Sequence, residues 1–142
     1  MKKENINYHM GFINSLEDNE IFIFGSNLQG LHGAGAALTA RNRFDAKMGI
    51  GKGLTGQSYA FPTIKSLNPY TKLTVKEIEQ EVNDLEIIIK ENNNKKFYLT
   101  AVGCGLAGYD IKNIAPLFKK LIKYDNIVFP IEFKSFIKKD EK

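Results

Sequence analysis

Two glycine-rich segments have the composition of loops that bind phosphate. Residues 25–37 read GSNLQGLHGAGAA and follow the apolar run 21–24, and residues 103–109 read GCGLAGY and follow the apolar run 97–102. Each is a junction from a strand through a glycine loop towards a helix, where free backbone N–H groups and the positive end of the helix attract an anion. One such loop is weak evidence. Two, at the ends of separate strands, predict opposite sides of one cleft for a diphosphate.

The segments around these two loops predict strands and helices in alternation. Compact runs of β-branched and aromatic residues predict strands at 21–24, 58–61, 97–102 and 127–129, with Pro62 ending the second. Helices are predicted at 36–44, at 75–91 and from Pro116 to about Lys123. Residues 1–20 are predicted to be an entry segment with a small apolar cluster, and 65–72 a polar loop. This order indicates an α/β fold with helices on both faces of the sheet.

The longest predicted helix has the clearest local signals. Thr74 stands at its N-cap and Glu77 at the capping-box position. Apolar residues then recur with helical spacing as far as Glu91. In open α/β sheets ligands bind beyond the carboxyl ends of the strands, which is where both glycine loops are predicted to lie.

Bulk composition predicts one domain over residues 1–142, with its core at about 20–133. The chain is 43% hydrophobic and 25% charged, so a folded core is expected. The net charge of +4 raises the alternative of an RNA-binding module. However, the lysines are interspersed with acids, and Arg41 and Arg43 are the only arginines. A solvated lysine surface is therefore favoured over a nucleic-acid interface.

Cysteine and histidine are too few for a disulfide framework or a metal site. Cys104 is the single cysteine, and His9 and His32 lie far apart in the sequence. No metal and no cofactor are therefore expected. Since no apolar run approaches ~20 residues and no signal-like segment is recognisable, we expect a soluble, cytoplasmic protein without membrane contact.

The two loops resemble those of the macrodomain family, whose members bind ADP-ribose and in many cases remove it from proteins or small molecules. The resemblance covers roughly residues 20–130, and it is specific in GSN at 25–27, GAG at 33–35 and GCGLAGY at 103–109. It is nearest to the branch that contains the terminal ADP-ribose protein glycohydrolase. It implies a three-layer α/β/α sandwich with a mixed central sheet.

The same resemblance implies which residues contact the ligand. Asn27 takes the place of the family's contact to the distal ribose, with Ser26 beside it, although Asn is also an ordinary turn residue. Tyr109 matches an aromatic near that ribose, and Phe133 matches one placed against adenine, although either ring could instead be an ordinary core aromatic. The diphosphate would be bound by main-chain N–H groups from both loops, namely Gly33, Ala34, Gly35, Ala36, Gly103, Cys104, Gly105, Leu106, Ala107 and Gly108. His32 lies inside the first loop, where it either touches a phosphate or is exposed.

The resemblance also suggests catalytic candidates, with departures. The nearer branch uses a lysine and an aspartate, and Lys52 roughly matches the lysine. The place of the aspartate is held by Ala107, which leaves Asp110 as the nearest carboxylate. A helix cap is the favoured alternative for Asp110, and a solvent-exposed or phosphate-binding lysine the favoured alternative for Lys52. A neutral lysine amine can attack an anomeric carbon, and a carboxylate can assist proton transfer.

Two kinds of function therefore follow from the resemblance. In one, the chain binds ADP-ribose or a related NAD-derived nucleotide and hydrolyses an ADP-ribosyl linkage. In the other, it is a non-catalytic reader of ADP-ribosylated macromolecules, or a protein that sequesters a small NAD-derived ligand. Release of ADP-ribose from a modified protein distinguishes the two.

Overall fold

The structure, a computed structural model, describes residues 6–138. Its strands are β1 (Asn7–His9), β2 (Glu20–Asn27), β3 (Gly53–Thr55), β4 (Ser58–Leu67), β5 (Tyr70–Lys72), β6 (Lys96–Leu99) and β7 (Ile127–Pro130). Its α-helices are α1 (Gly35–Arg43), α2 (Val75–Glu91), α3 (Ile111–Ile114) and α4 (Lys134–Ile137), and 3₁₀ helices occupy Ala115–Lys123 and Ile131–Phe133. Within residues 6–138 no helix combines the length and the apolar character needed to cross a bilayer.

All the strands in this part of the chain belong to one mixed sheet. Its order is β1-β7-β6-β2-β4-β3, and β5 pairs with β4 outside this path. Strands β1, β7, β6, β2 and β4 are all parallel to one another. Strands β3 and β5 run antiparallel to β4. Because β2, β4 and β6 are parallel neighbours, their carboxyl ends meet at one edge of the sheet.

Helices cover both faces of the sheet, as the alternation of side chains along β2 requires. Phe22 and Phe24 pack in a cluster that also contains Ala40 and Phe44 from the α1 side. Ile21 and Ile23 belong to the larger cluster on the opposite face, where α2, α4 and the 3₁₀ helix Ala115–Lys123 contribute buried side chains. The predicted three-layer α/β/α arrangement with a mixed sheet is confirmed.

The predicted capping box and apolar spacing of α2 are confirmed. Thr74 accepts a hydrogen bond from the Glu77 N–H at 3.1 Å, and the Glu77 carboxylate accepts one from the Thr74 N–H at 2.8 Å. The fully buried side chains of the helix are those of Ile78, Val82, Leu85 and Ile89. At about 2 kcal/mol for each buried side chain of this size, this apolar face fixes α2 on the sheet.

The prediction that Pro62 ends the second strand is wrong. Strand β4 continues through Pro62 to Leu67. Its pairing with β3 ends at Ala60, and the register against β2 becomes irregular just after Pro62. Proline removes a ladder hydrogen bond without preventing an extended backbone, so it is tolerated at such an irregularity.

The prediction of a polar loop at 65–72 is also wrong. The segment contains the end of β4 and the short strand β5, joined by a turn at Asn68–Pro69. All three residues of β5 are exposed, so no alternation of apolar and polar side chains marks it in the sequence. The segment 1–20 likewise contains a strand, β1, which is three residues long at the sheet edge.

The helix that was predicted from Pro116 to Lys123 is present with a different winding. A short α3 leads directly into the 3₁₀ helix Ala115–Lys123. The buried side chains of this 3₁₀ helix are Ala115, Phe118 and Leu121, which recur at every third residue. That spacing matches the three residues per turn of a 3₁₀ helix, so a single row of side chains faces the core.

Candidate functional site

A cavity of about 600 Å³ lies at the carboxyl ends of β2, β4 and β6. The first loop (residues 25–37) and the second loop (residues 103–109) both line it. The sequence-predicted ligand contacts that line this first cavity are Ser26, Asn27, Gly33, Ala34, Gly35, Ala36, Gly103, Gly105, Leu106 and Ala107. The structure therefore brings the two glycine loops together around one cavity.

The first loop presents the open N-terminus of α1 to this cavity. Ala34 is the N-cap residue and has no side chain that could accept a hydrogen bond from the first turn. In the described part of the chain, the N–H groups of Gly33 and Ala34 have no acceptor. Those of Gly35 and Ala36 begin the helix and so lack an intrahelical partner. In α2, by contrast, the N-cap residue Thr74 accepts a hydrogen bond from a first-turn N–H through its side chain.

The second loop also presents N–H groups without acceptors. The Cys104 N–H donates to the Ala101 carbonyl at 3.3 Å, and the Gly108 N–H donates to the Gly105 carbonyl at 2.9 Å. Between them, the N–H groups of Gly105, Leu106 and Ala107 have no acceptor within residues 6–138. An oxyanion in the first cavity would therefore meet unsatisfied donors from both loops.

Asn27 lines the cavity, but its amide group is used inside the first loop. Its Nδ2 donates to the Leu31 carbonyl and its Oδ1 accepts from the Leu31 N–H, both at 2.9 Å. The residue is only 6% exposed. The neighbouring Ser26 Oγ donates to the Gly51 carbonyl at 2.5 Å. Both side chains thus hold the loop in shape, which is the turn role that the sequence left open for Asn27.

Glycines from the segment 47–53 support the first loop from behind. A Cβ at Gly51 would lie 2.3 Å from the Asn27 carbonyl oxygen, and one at Gly30 would lie 2.3 Å from the Gly49 backbone. Real Cβ atoms do not approach main-chain atoms so closely, so this contact needs glycine on both sides. The glycine-heavy segment is therefore packed tightly against the first loop.

A second cavity of about 530 Å³ adjoins the first one on the α1 face of the sheet. The two share Gly35, Ala36, Thr100 and Ala101 in their walls. The second cavity is also lined by His9, Phe12, Arg43 and Glu132, and the Phe12 side chain is 95% exposed. This second cavity was not predicted from the sequence. Its only signal was the apolar cluster of Met10, Phe12 and Ile13 in a polar segment.

Comparison with solved structures identifies the fold. No protein-family model and no curated protein matches the chain by sequence. The macrodomain of Mycobacterium tuberculosis DarG matches with a TM-score of 0.61 at 22% identity, over 90% of this chain and 99% of that one. The macrodomain of Thermus aquaticus DarG matches with a TM-score of 0.66 at 16% identity, over 89% and 97%. This chain has the macrodomain fold.

A further macrodomain-containing match was solved with a ligand. Thermosipho africanus DarTG, in complex with ADP-ribose, matches with a TM-score of 0.55 at 21% identity, over 84% of this chain and 39% of that one. The resemblance to macrodomains noted in the sequence is thus confirmed for the fold. The nearer branch, that of the terminal ADP-ribose protein glycohydrolase, stays a prediction.

Within this macrodomain fold, neither catalytic candidate lines the first or the second cavity. Lys52 Nζ lies 2.6 Å from Asp84 Oδ2 and 3.1 Å from Glu81 Oε1, both on α2. The hydrogen bond to Asp84 raises the pKa of Lys52, which opposes the neutral amine that nucleophilic attack requires. Asp110 is exposed at the start of α3, and its side chain makes no capping hydrogen bond.

Four predicted ligand contacts do not line the first cavity. Gly108 is exposed, and Cys104 is half-buried with the pKa of its thiol raised by burial. The Tyr109 hydroxyl donates to the Leu73 carbonyl. Phe133 is fully buried, and its ring centre is 5.7 Å from that of Phe118. Phe133 is therefore a core residue in this structure and lines neither cavity.

His32 neither faces the first cavity nor is exposed, contrary to both expectations for it. It is fully buried, its Nε2 lies 3.0 Å from the Lys47 carbonyl, and its ring meets that of Phe24 edge-on at 5.1 Å. The His9 side chain also pairs with a main-chain carbonyl, since its Nε2 lies 2.6 Å from the Leu99 carbonyl oxygen. Among the described residues, no three His, Cys, Asp or Glu side chains are grouped so that they could hold a metal ion.

Proposed function

We propose that this chain binds ADP-ribose, or a closely related NAD-derived nucleotide, across the two joined cavities. One observation carries the proposal: residues from two separate loops line the first cavity, and their N–H groups have no acceptors among the described residues. A diphosphate has enough oxygens to accept hydrogen bonds from both sides at once. The fold neighbour that was solved with ADP-ribose supports the choice of this nucleotide.

The two cavities suit the two halves of such a ligand. Their volumes of about 600 and 530 Å³ lie in the range of small-molecule sites. The first cavity takes the diphosphate and one ribose. The second takes the nucleoside, where the exposed ring of Phe12 offers a stacking surface and Arg43 offers a positive charge.

Binding without hydrolysis is the function that the first cavity supports best. The residues that line it include no Asp, Glu, His, Lys, Arg, Cys or Tyr among those that the structure describes. A general acid or base must reach the reacting bond directly or through one water molecule. The chain is therefore proposed to be a reader of ADP-ribosylated macromolecules or a sequestering protein for a free nucleotide.

Calorimetric titration with ADP-ribose tests the proposal, with adenosine and RNA as comparison ligands. We expect saturable heat with ADP-ribose and weaker binding of adenosine, which lacks the diphosphate. Absence of both heat and a thermal shift at millimolar ADP-ribose would contradict the proposal. Tight RNA binding that collapses with salt would favour the RNA-binding alternative instead. Release of ADP-ribose from a modified protein would show a hydrolase.

The variant Ala36→Asp tests the position of the diphosphate. An Asp in the first turn of α1 favours the helix dipole, so the fold is expected to persist. Its carboxylate would repel the bound anion, at a cost of several kcal/mol, and ADP-ribose affinity should fall by about a hundredfold or more. Asn42→Asp adds the same charge at an exposed position of the same helix and is the matched control. Equal affinity in the two variants would place the diphosphate elsewhere.

A further inference from the structure

Two side chains of β5 bind the second loop from outside the first cavity. The Tyr70 hydroxyl donates to the Leu106 carbonyl at 3.0 Å, and Lys72 Nζ donates to the Ala107 carbonyl at 3.2 Å. Leu106 and Ala107 both line the first cavity. These two contacts therefore connect a surface hairpin to the residues whose N–H groups lack acceptors.

The direction of these hydrogen bonds fixes how the peptide groups of the loop are turned. In a planar trans peptide the carbonyl and the N–H that follows it point in opposite directions. Since Tyr70 holds the Leu106 carbonyl, the Ala107 N–H points away from β5. Lys72 holds the next carbonyl, that of Ala107, and the Gly108 N–H on the same peptide donates to Gly105 within the loop.

Lys72 is itself held in place, unlike an ordinary surface lysine. Its Nζ lies 4.0 Å from the centre of the Tyr109 ring. The Tyr109 hydroxyl in turn donates to the Leu73 carbonyl. Leu73 is buried, and its N–H donates to the Thr63 carbonyl of β4 at 2.9 Å. The ammonium group thus has a defined position relative to both the sheet and the second loop.

We infer that Lys72 is a positioning residue for the anion site, and that Tyr70 assists it. Lys72 keeps the Ala107 carbonyl turned away from the first cavity, so that the second loop offers donors and no acceptor to a diphosphate. Without it, the peptide between Ala107 and Gly108 can turn its carbonyl towards the anion, which the carbonyl repels. The ammonium also adds a positive charge beside a cavity whose described lining has no cationic side chain. This inference rests on the proposed function for its ligand.

The variant Lys72→Met tests this role, with Lys72→Arg and Lys65→Met as controls. Lys65 carries the same charge on β4, is paired with Glu77 at 3.1 Å, and does not line either cavity. In the free protein, we expect faster hydrogen exchange at the Gly108 and Tyr109 N–H groups of Lys72→Met. For ADP-ribose we expect about tenfold weaker affinity, and for adenosine no change. Lys72→Arg should recover affinity to within about threefold of the wild type, and Lys65→Met should behave as wild type.

The outcomes separate this inference from the proposed function. If wild-type protein does not bind ADP-ribose, the proposed function is wrong, and the exchange experiment alone decides whether Lys72 positions the loop. Unchanged exchange at Gly108 and Tyr109 overturns the inference. So does an equal loss of affinity for adenosine and ADP-ribose in Lys72→Met, because that would report a general loss of structure. An equal effect of Lys65→Met would show that net charge, and not the contact with Ala107, is responsible.

Discussion

The first and second loops present the same chemical groups to one cavity but are held in different ways. The first loop is held by the short, buried side chain of Asn27, which hydrogen-bonds both main-chain groups of Leu31, and by the close approach of the Gly51 main chain. The second loop is held by long side chains, Tyr70 and Lys72, that reach it from an exposed hairpin.

This difference predicts how substitutions next to each loop will affect the protein. Main-chain contacts leave no space, so almost any added atom behind the first loop forces the backbone to move. Long side-chain contacts from the surface can be removed without creating a clash, so the second loop can lose its fixed conformation while the rest of the protein remains folded. We therefore expect variants behind the first loop to lower stability and variants behind the second to lower affinity.

The largest effect is expected for Gly51→Ala, behind the first loop. The added Cβ would lie 2.3 Å from the Asn27 carbonyl oxygen and 2.7 Å from that of Leu28. Such overpacking against backbone should lower the free energy of unfolding by about 2–3 kcal/mol, as measured by urea denaturation. Gly105→Ala is the control, since a Cβ there meets no atom within 4 Å. A loss that is as large for Gly105 would remove the proposed difference between the loops.

The next largest effect is expected for Asn27→Ala. It removes both hydrogen bonds to Leu31 and leaves the Leu31 N–H and carbonyl without the Asn27 partner. We expect a loss of about 2 kcal/mol in unfolding free energy together with weaker ADP-ribose binding. Asn42→Ala, at an exposed position of α1, should leave stability unchanged or slightly raised. Wild-type stability with lost binding would instead show that Asn27 contacts the ligand directly.

Tyr70→Phe should have a smaller effect and act on affinity alone. It removes only the hydroxyl that donates to the Leu106 carbonyl. We expect about threefold weaker ADP-ribose binding and a change of less than about 0.5 kcal/mol in unfolding free energy. Tyr98→Phe removes a hydroxyl that donates to Glu20 at 3.1 Å, at the opposite end of β2 from the first loop. If Tyr98→Phe weakens binding equally, the role of the β5 hairpin is not specific.

The smallest effect is expected for Lys52→Met, measured as stability against pH. The hydrogen bond from Lys52 lowers the pKa of Asp84 below its ordinary value of 3.8, so the pair stabilises the fold above that pH. This contribution is lost as pH falls through the lowered pKa. Because the Lys52 side chain is 44% exposed, only a few tenths of a kcal/mol are expected at neutral pH. The two unfolding curves should converge at pH values below the lowered pKa of Asp84.

Lys52→Met also tests the residue as a catalytic candidate. Its ion pairs with Glu81 and Asp84 hold it on the α2 side, outside the lining of both cavities. We therefore expect ADP-ribose affinity to stay at the wild-type level. If the protein releases ADP-ribose from a modified substrate and Lys52→Met abolishes that release, Lys52 has the role that the family resemblance suggested.

The sequence predicted those features whose cause is local. The capping box at Thr74, the apolar spacing of α2 and the glycines after β2 and β6 each act through neighbouring residues, so they can be read from the chain. Strand β5 could not be predicted, because all its side chains are exposed and it depends on pairing with β4. The continuation of β4 through Pro62 depends likewise on its irregular pairing with β2.

The shared cavity between the two loops was predicted from the sequence, whereas the distant side chains that are proposed to complete the candidate site were not. The loops were placed from their glycines, which report backbone conformation directly. Phe12 and Lys72 gave no comparable signal, because an isolated aromatic or lysine in a polar segment looks like ordinary surface. The shared edge of parallel strands is what brings residues 9–14, 25–37 and 100–107 together, and that edge exists only after the sheet has formed.

An anion site made from peptide N–H groups has an evolutionary consequence. Every amino acid except proline carries this donor, so the proposed capacity to hold an anion does not require particular side chains around Ala34 and Ala107, provided that they fit and add no negative charge. What selection must preserve is the path of the main chain. We therefore expect proteins with such sites to keep their ligand while their sequences diverge. Their relationship would then be detectable by comparing backbone structures after sequence similarity has been lost.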